Sequence, residues 1–331
     1  MLPRAYVRAS CALLCILLAL STALLQAVAA ADLPQDKLLR MDFEGRQRLC
    51  LVHLPKAYEP RTKRPLLICL HGAVSSYRNA IKTFGLNDEA DKESFIIAYP
   101  NGTSRFGQRL ATWNAGGCCG YAADHKINDV GFVRSLIASL EQNYAIDENR
   151  IYLVGFSNGG MLAYSLAAEM PGVFAGLAVL SGWMNGQQQQ LSKPVSAFIV
   201  HGSEDKSVPL MGGSGKWARY GIELGARPLN ETVAYWIRND GCSSVPQVTK
   251  SGALTRYLYA GGRGGTEVEL CLIEGYGHAW PGGRKSWLFA AKPYSLFSAN
   301  DALWEFLSKH STRDGALNAE GHSAQTQPVH Y

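Results

Sequence analysis

Seven short runs that stay apolar over successive residues, at 48–54, 66–70, 95–99, 151–154, 177–180, 195–200 and 268–273, constrain this chain more than any other feature. A strand apolar on both faces must be covered on both, as the interior strands of a mostly parallel sheet are. Between the runs lie segments of helical period. The clearest spans 129–144, with Val130, Val133, Ile137, Leu140 and Tyr144 on one face and Asn128 or Asp129 as N-cap. A second helix should begin at Asn158 and end before Pro171, and a last amphipathic one should occupy 299–309. This alternation predicts an α/β fold, a mostly parallel central sheet with helices on both faces. With 47% hydrophobic and 18% charged residues, a disordered chain is excluded. No Pro-, Ser- or charge-rich linker divides residues 32–310, so a single domain is expected there.

The ends read differently. Arg4 and Arg8 precede a dense apolar block at 11–20 and a looser stretch closing in small residues at 27–31, the order of a cleaved export signal covering 1–31. An uncleaved anchor is the alternative, because 11–31 is just long enough to span a bilayer. Cleavage predicts a secreted or periplasmic protein without stable membrane insertion. The polar stretch 311–331 is expected to be a disordered tail.

Export also changes the meaning of the cysteines. Removing Cys11 and Cys15 leaves Cys50, Cys69, Cys118, Cys119, Cys242 and Cys271, and an even set in an oxidising compartment suggests disulfides. Cys69 sits inside an apolar run and reads as a buried free thiol. Cys242 with Cys271 is the preferred bridge, since the two flank one predicted hairpin; Cys118 and Cys119 are each open to other partners.

Gly155-Phe156-Ser157-Asn158-Gly159 matches G-x-S-x-G, directly after one apolar run and directly before a helix. Strand, sharp turn and helix are the context of a nucleophile elbow, in which a strained turn lifts the serine hydroxyl to the carboxyl edge of the sheet. Gly155, Gly159 and Gly160 give such a turn room, and the helix N-terminus favours developing negative charge.

A serine hydroxyl needs a base, and the base needs a carboxylate. His278 lies just beyond the run 268–273, whereas His310, His322 and His330 stand at or past the last helix, and His201 closes an earlier run. Between serine and histidine, Asp205 follows a strand and is the expected partner of the His278 Nδ1 proton. Glu204 is its local competitor and Asp240 a weaker one. Two backbone donors would complete an oxyanion hole, the amide of Asn158 and that of Ala73 in the loop after 66–70. Among Trp113, Trp183, Trp280 and Trp287, Trp280 beside the base is the expected substrate contact.

Other chemistries find little support. The excess of 32 Lys plus Arg over 27 Asp plus Glu is small and not gathered into a stripe, which argues against nucleic acid. The chain has no C-x-x-C pair, no H-E-x-x-H and no internal repeat. The glycines at 261–265 read as a hairpin turn, and residues 212–216 lack the hydroxyl residue a P-loop needs.

Taken together, Leu70-His71-Gly72, Gly155-Phe156-Ser157-Asn158-Gly159-Gly160-Met161, His201-Gly202-x-x-Asp205-x-x-Val208-Pro209 and Gly275-x-Gly277-His278-x-Trp280-Pro281-Gly282 make the chain resemble the secreted polyhydroxybutyrate depolymerase and feruloyl esterase family of α/β-hydrolases. Tyr99-Pro100-Asn101-Gly102, Trp113-Asn114, Cys118-Cys119-Gly120 and Asn128-Asp129-Val130-Gly131-Phe132 extend the likeness over nearly all of 45–309. The resemblance implies an α/β-hydrolase fold and a serine esterase working through an acyl-enzyme. It implies no metal or organic cofactor, and an ester substrate that is polymeric in the polyester or plant cell-wall case. The family usually has Cys or Gly where this chain has Ala73, a departure of little consequence for a backbone donor. Residues 210–230 look individual and are expected to border the mouth of the site. Two other functions fit the same residues: a non-catalytic polymer-binding protein, and acyl transfer to an alcohol.

Overall fold

Among the described residues ten strands form one sheet in the order β1-β2-β4-β3-β5-β6-β7-β10-β9-β8. They are β1 Asp36–Phe43, β2 Arg46–His53, β3 Arg64–Leu70, β4 Ile96–Pro100, β5 Ile146–Phe156, β6 Gly176–Leu180, β7 Ser196–Gly202, β8 Gln247–Ser251, β9 Leu254–Tyr259 and β10 Val268–Ile273. The computed structural model describes residues 35–116, 118–184, 191–216, 225–284 and 294–313. The expected signal at 1–31 lies outside them, as does the expected tail beyond residue 313. Thr312, inside that tail, donates its hydroxyl to Asn149 Oδ1 at 3.2 Å.

Six strands, β4, β3, β5, β6, β7 and β10, pair in parallel, and antiparallel ribbons β1–β2 and β9–β8 extend the two sides. The six parallel strands are six of the seven apolar runs of the sequence, the seventh, 48–54, being β2, which pairs antiparallel with β1 and β4; β3 is buried from Pro65 to Leu70. The ribbons follow a different rule: β1 alternates exposed and half-buried residues along its length, and β8 is exposed throughout. Gly252 turns β8 into β9, and the glycines at 261–265 turn β9 into β10 as a hairpin.

The helices are α1 Tyr77–Phe84, α2 Leu86–Glu93, α3 Gly120–Asp124, α4 Asp129–Asn143, α5 Asn158–Glu169, α6 Leu229–Asp240 and α7 Ala299–Leu307. Asn128 caps α4 by accepting from the Gly131 amide at 2.9 Å. Ser298 caps α7 in the same way. Each face of the sheet has its own apolar layer. Leu66, Ile68, Leu153, Phe132, Leu162 and Trp236 belong to one, and Leu67, Cys69, Val154, Tyr152, Phe198 and Trp304 to the other. Among the described residues no helix is long and apolar enough to cross a membrane.

The layers correct the expected Cys242–Cys271 bridge. Both are free thiols, with Cys242 in the first layer and Cys271 in the second. Alternation along β10 is the cause, since Val268 faces one layer while Cys271 and Ile273 face the other. Cys50 and Cys69 are also free and buried, and the sulfurs of Cys118 and Cys119 meet each other.

The order β4-β3-β5 marks where the chain reverses direction across the sheet. From β3 it steps one way to β4, and β5 then lies on the opposite side of β3. The loops leaving the carboxyl ends of β3 and β5 therefore diverge and leave a crevice, the usual ligand position in such sheets.

Candidate active site

Ser157 stands in that crevice, between the last residue of β5 and the first of α5. Its φ of 53° and ψ of −121° place it in a region that non-glycine residues rarely occupy. The strain is held from several sides. The Ser157 amide donates to Leu180 O at 2.9 Å, and its carbonyl accepts from Met161 N at 3.0 Å. A Cβ at Gly159 would collide with the carbonyls of Leu70 and His71, and one at Gly155 with the Gly159 backbone. Glycine is thus required for the elbow to lie against the end of β3. Asn158 is the first residue of α5, where backbone N–H groups have no intrahelical acceptor.

Asp205 and His278 come together from loops after β7 and β10, adjacent parallel strands. His278 Nδ1 lies 2.7 Å from Asp205 Oδ2. The other carboxylate oxygen accepts from the amides of Ser207 at 2.8 Å and Val208 at 2.9 Å. Burial pushes the Asp205 carboxyl up, but the charge and hydrogen bond of His278 and the amide bonds outweigh it, holding the group below its ordinary value. It is therefore ionised at neutral pH, and the imidazole facing it carries its proton on Nδ1. The His278 ring lies against Phe156, with centroids 4.8 Å apart, which brings it next to Ser157.

The competitors fall elsewhere. Glu204 is exposed, and Asp240 is buried at the end of α6, where Oδ1 accepts from Val195 N and Asn239 Nδ2. His201 is buried under Asp205, with Nε2 at 2.8 Å from Val208 O and 3.8 Å from Asp205 Oδ2. A carbonyl only accepts, so Nε2 is the protonated nitrogen. Burial lowers the His201 pKa, so it stays neutral and fixes the turn that cages Asp205.

Ala73 follows the end of β3 beside the elbow, where Gly72 lies against Phe156 and Ser157. The loop is organised from below by His71, which is fully buried. Gly102 N–H donates to His71 Nε2 at 3.0 Å, so the proton is on Nδ1, which donates to Gly72 O at 2.7 Å. Burial lowers the His71 pKa to about 4, so this tautomer persists at neutral pH. Asn101 ties neighbouring loops, accepting from Tyr77 N at 2.9 Å and donating to Gln108 O at 3.3 Å. Asp129 accepts from Asn114 N at 2.8 Å and forms a buried ion pair with Arg48 at 2.7 Å.

Trp280 corrects the expectation of a substrate contact. It is only 3% exposed, stacks on Phe84 with centroids 4.0 Å apart, and donates Nε1–H to Asn300 Oδ1 at 2.9 Å. Its ring supports the His278 loop from inside. In the loops that follow β3 and β4, Val74, Phe106 and Leu110 are apolar side chains that face water, each half exposed or more. Val74 and Leu110 take positive φ, at 56° and 53°, and flank the bridged pair Ser75 and Ala111. Of the other motif residues, His71 shapes the turn after β3 as its sequence position suggests, Asp129 pairs with Arg48 while Asn128 takes the N-cap of α4, and the tying roles of Asn101 and His201 are visible only in the structure.

Comparison with known proteins agrees with this architecture. A family model described as "Putative esterase" matches residues 44–270. Feruloyl esterase B of Piromyces equi is 28% identical over 259 residues, covering 75% of this chain and 46% of that protein. A poly(3-hydroxybutyrate) depolymerase of Ralstonia pickettii is 24% identical over 245 residues, covering 68% of this chain and 49% of that protein. The chain thus spans about half the length of these two relatives. Among solved structures, the acetyl xylan esterase from Aspergillus awamori superposes with a TM-score of 0.57 at 14% identity, over 82% of this chain and 99% of that one. That likeness carries the α/β-hydrolase fold.

Proposed function

The chain belongs to this esterase family, alongside feruloyl esterases and poly(3-hydroxybutyrate) depolymerases, and we propose that it is an exported serine carboxylesterase working through an acyl-enzyme. The observation that carries the reading is the 2.7 Å bond between His278 Nδ1 and an ionised, caged Asp205, on loops that border the Ser157 elbow.

In this reading Ser157 Oγ attacks the ester carbonyl while His278 Nε2 takes its proton. The carbonyl oxygen, now negative, is met by the amides of Asn158 and Ala73. His278 returns the proton to the departing alcohol, and a water molecule, activated by the same base, releases the acid and restores Ser157. Asp205 keeps Nδ1 protonated throughout and stabilises the transient imidazolium. Every step uses the chain's own residues.

The apolar lip of Val74, Phe106 and Leu110 supports an ester held in a polymer or bearing a bulky apolar group. Two backbones in the left-handed region that also present apolar side chains to water are unfavourable on both counts. A binding role for that lip gives them a reason. Export through the segment 1–31 and a disulfide between Cys118 and Cys119 complete the proposal. The intact mass of the exported protein tests both.

The decisive experiment is hydrolysis of p-nitrophenyl acetate and butyrate by the mature protein beside its Ser157→Ala variant. Turnover with an acyl burst in the wild type, abolished in the variant, is expected. A wild type with neither burst nor turnover would leave the polymer-binding alternative standing instead. Methyl ferulate, acetylated xylan and hydroxybutyrate oligomers then rank substrates.

A further inference from the structure

The two amides assigned to the oxyanion hole follow different strands, that of Asn158 after β5 and that of Ala73 after β3, yet one buried residue spans the gap between them. Trp113 is fully buried. Its main chain is gripped by the Asn158 side chain, with Trp113 N–H donating to Asn158 Oδ1 at 2.8 Å and Asn158 Nδ2 donating to Trp113 O at 3.1 Å. Asn158 Nδ2 also lies 3.4 Å from Cys118 O. At its other end the Trp113 indole donates Nε1–H to His71 O at 2.8 Å, and the indole and imidazole centroids are 4.9 Å apart.

This arrangement fixes two successive peptide units after β3. The His71–Gly72 peptide is held through its carbonyl by Trp113. The Gly72–Ala73 peptide is held through its carbonyl by His71 Nδ1–H, at 2.7 Å. A trans peptide is planar, with its C=O and N–H directed oppositely, so pinning the Gly72 oxygen sets the direction of the Ala73 N–H. No side chain needs to touch that amide for its aim to be determined.

Resting on the esterase reading above, we propose that Trp113 is a positioning residue for the oxyanion hole, a cross-brace that sets the Ala73 amide relative to the Asn158 amide. It does not contact substrate. Its indole N–H and its main chain act at the two ends of one fully buried residue, and His71 passes the constraint on to Ala73. Preorganised donors stabilise a transition state only at the correct spacing, and a misplacement near 1 Å costs on the order of 100-fold in rate.

The test compares Trp113→Phe, which removes Nε1–H and keeps an aromatic ring, with the wild type on p-nitrophenyl butyrate. Expected are a kcat about 10- to 100-fold lower, a KM within about twofold, and weaker inhibition by a trifluoromethyl ketone by the same factor as kcat. That ketone captures serine as a hemiketal whose oxygen occupies the oxyanion hole. Inhibition by the product butyrate, which needs no oxyanion, should not change. A purely structural tryptophan would instead lower the amount of active enzyme and leave kcat per titrated site unchanged.

A second pair of variants stands apart from that substitution should it not fold. His71→Asn keeps a donor close to the Nδ1 position, and His71→Ala does not. Asn is expected to retain at least about tenfold more kcat than Ala. Equal kcat in those two, or a Trp113→Phe enzyme with unchanged kcat and ketone affinity, overturns the brace. An inactive wild type overturns the esterase reading together with it, so the two failures are told apart.

Discussion

Replacing Asp205 with asparagine changes one atom, and the structure dictates which way the amide must turn. Asp205 Oδ1 accepts from two main-chain donors, Ser207 and Val208, at 2.8 and 2.9 Å. Only the carbonyl oxygen of asparagine can take that place, so its NH2 group falls where Oδ2 stood, 2.7 Å from His278 Nδ1. Two donors cannot share that bond. His278 must move its proton to Nε2, and Nε2–H cannot accept a proton from Ser157. With the geometry intact and the tautomer reversed, kcat on p-nitrophenyl butyrate should fall by about 10⁴, or about 5.5 kcal/mol of barrier. Folding changes in the acid range. The folded Asp205 pKa is depressed, so its contribution to stability is present above the unfolded value, about 3.9, and is lost as pH falls through the folded value. The variant should lose that acid limb while remaining folded at pH 7. The assay is steady-state kinetics beside thermal unfolding, with exposed Glu204→Gln as a control expected within twofold of wild type. Asp205→Asn within tenfold of wild type, or Glu204→Gln falling as far as Asp205→Asn, would refute the reasoning.

Gly159→Ala drives a Cβ into the carbonyls of Leu70 and His71, so thermal unfolding should show a loss of roughly 1–3 kcal/mol or more, together with lower activity from a displaced β3 loop. Asp240, raised to about 7 chiefly by burial, binds its proton more tightly folded than unfolded. Its favourable contribution is complete below about pH 4 and is lost as pH rises to about 7, so Asp240→Asn should make stability flatter between pH 5 and 8 in denaturant titrations. Arg48→Met strands the Asp129 carboxylate and should cost about 3–5 kcal/mol, more than Asp129→Asn; the opposite order would remove the ion pair as the reason. Trp280→Phe should lower the melting temperature while leaving the ranking of ester substrates unchanged, because the ring faces Phe84 rather than the crevice.

What could be read from sequence follows a physical line. β3 and β10 were foreseen within two residues because strands covered on both faces are continuously apolar, a signal that needs no partner to be seen. β1, β8 and β9 were not, since they lie in ribbons that are exposed or half-buried and leave only weak alternation. Ser157, Asp205 and His278 stood out because each follows a strand and their chain order is constrained, so position along the chain stands in for position in space. Trp280 and the Cys242–Cys271 pair required knowledge of facing. Trp280 faces Phe84, far away in sequence, and the two cysteines are separated by the sheet itself. Trp113 and His71 were visible as motif residues, but their task lies in hydrogen bonds to main-chain atoms of other loops, which residue types do not encode.

Among the described residues four unpaired thiols are distributed two to each side of the sheet, Cys50 and Cys242 in one layer and Cys69 and Cys271 in the other. All four are buried, and burial pushes each thiol above its ordinary pKa, so none is reactive while its layer is closed. They form two built-in clocks. Brief exposure to an alkylating reagent during unfolding, read by peptide mass, dates the opening of each layer separately and shows whether the sheet loses both coverings in one cooperative event.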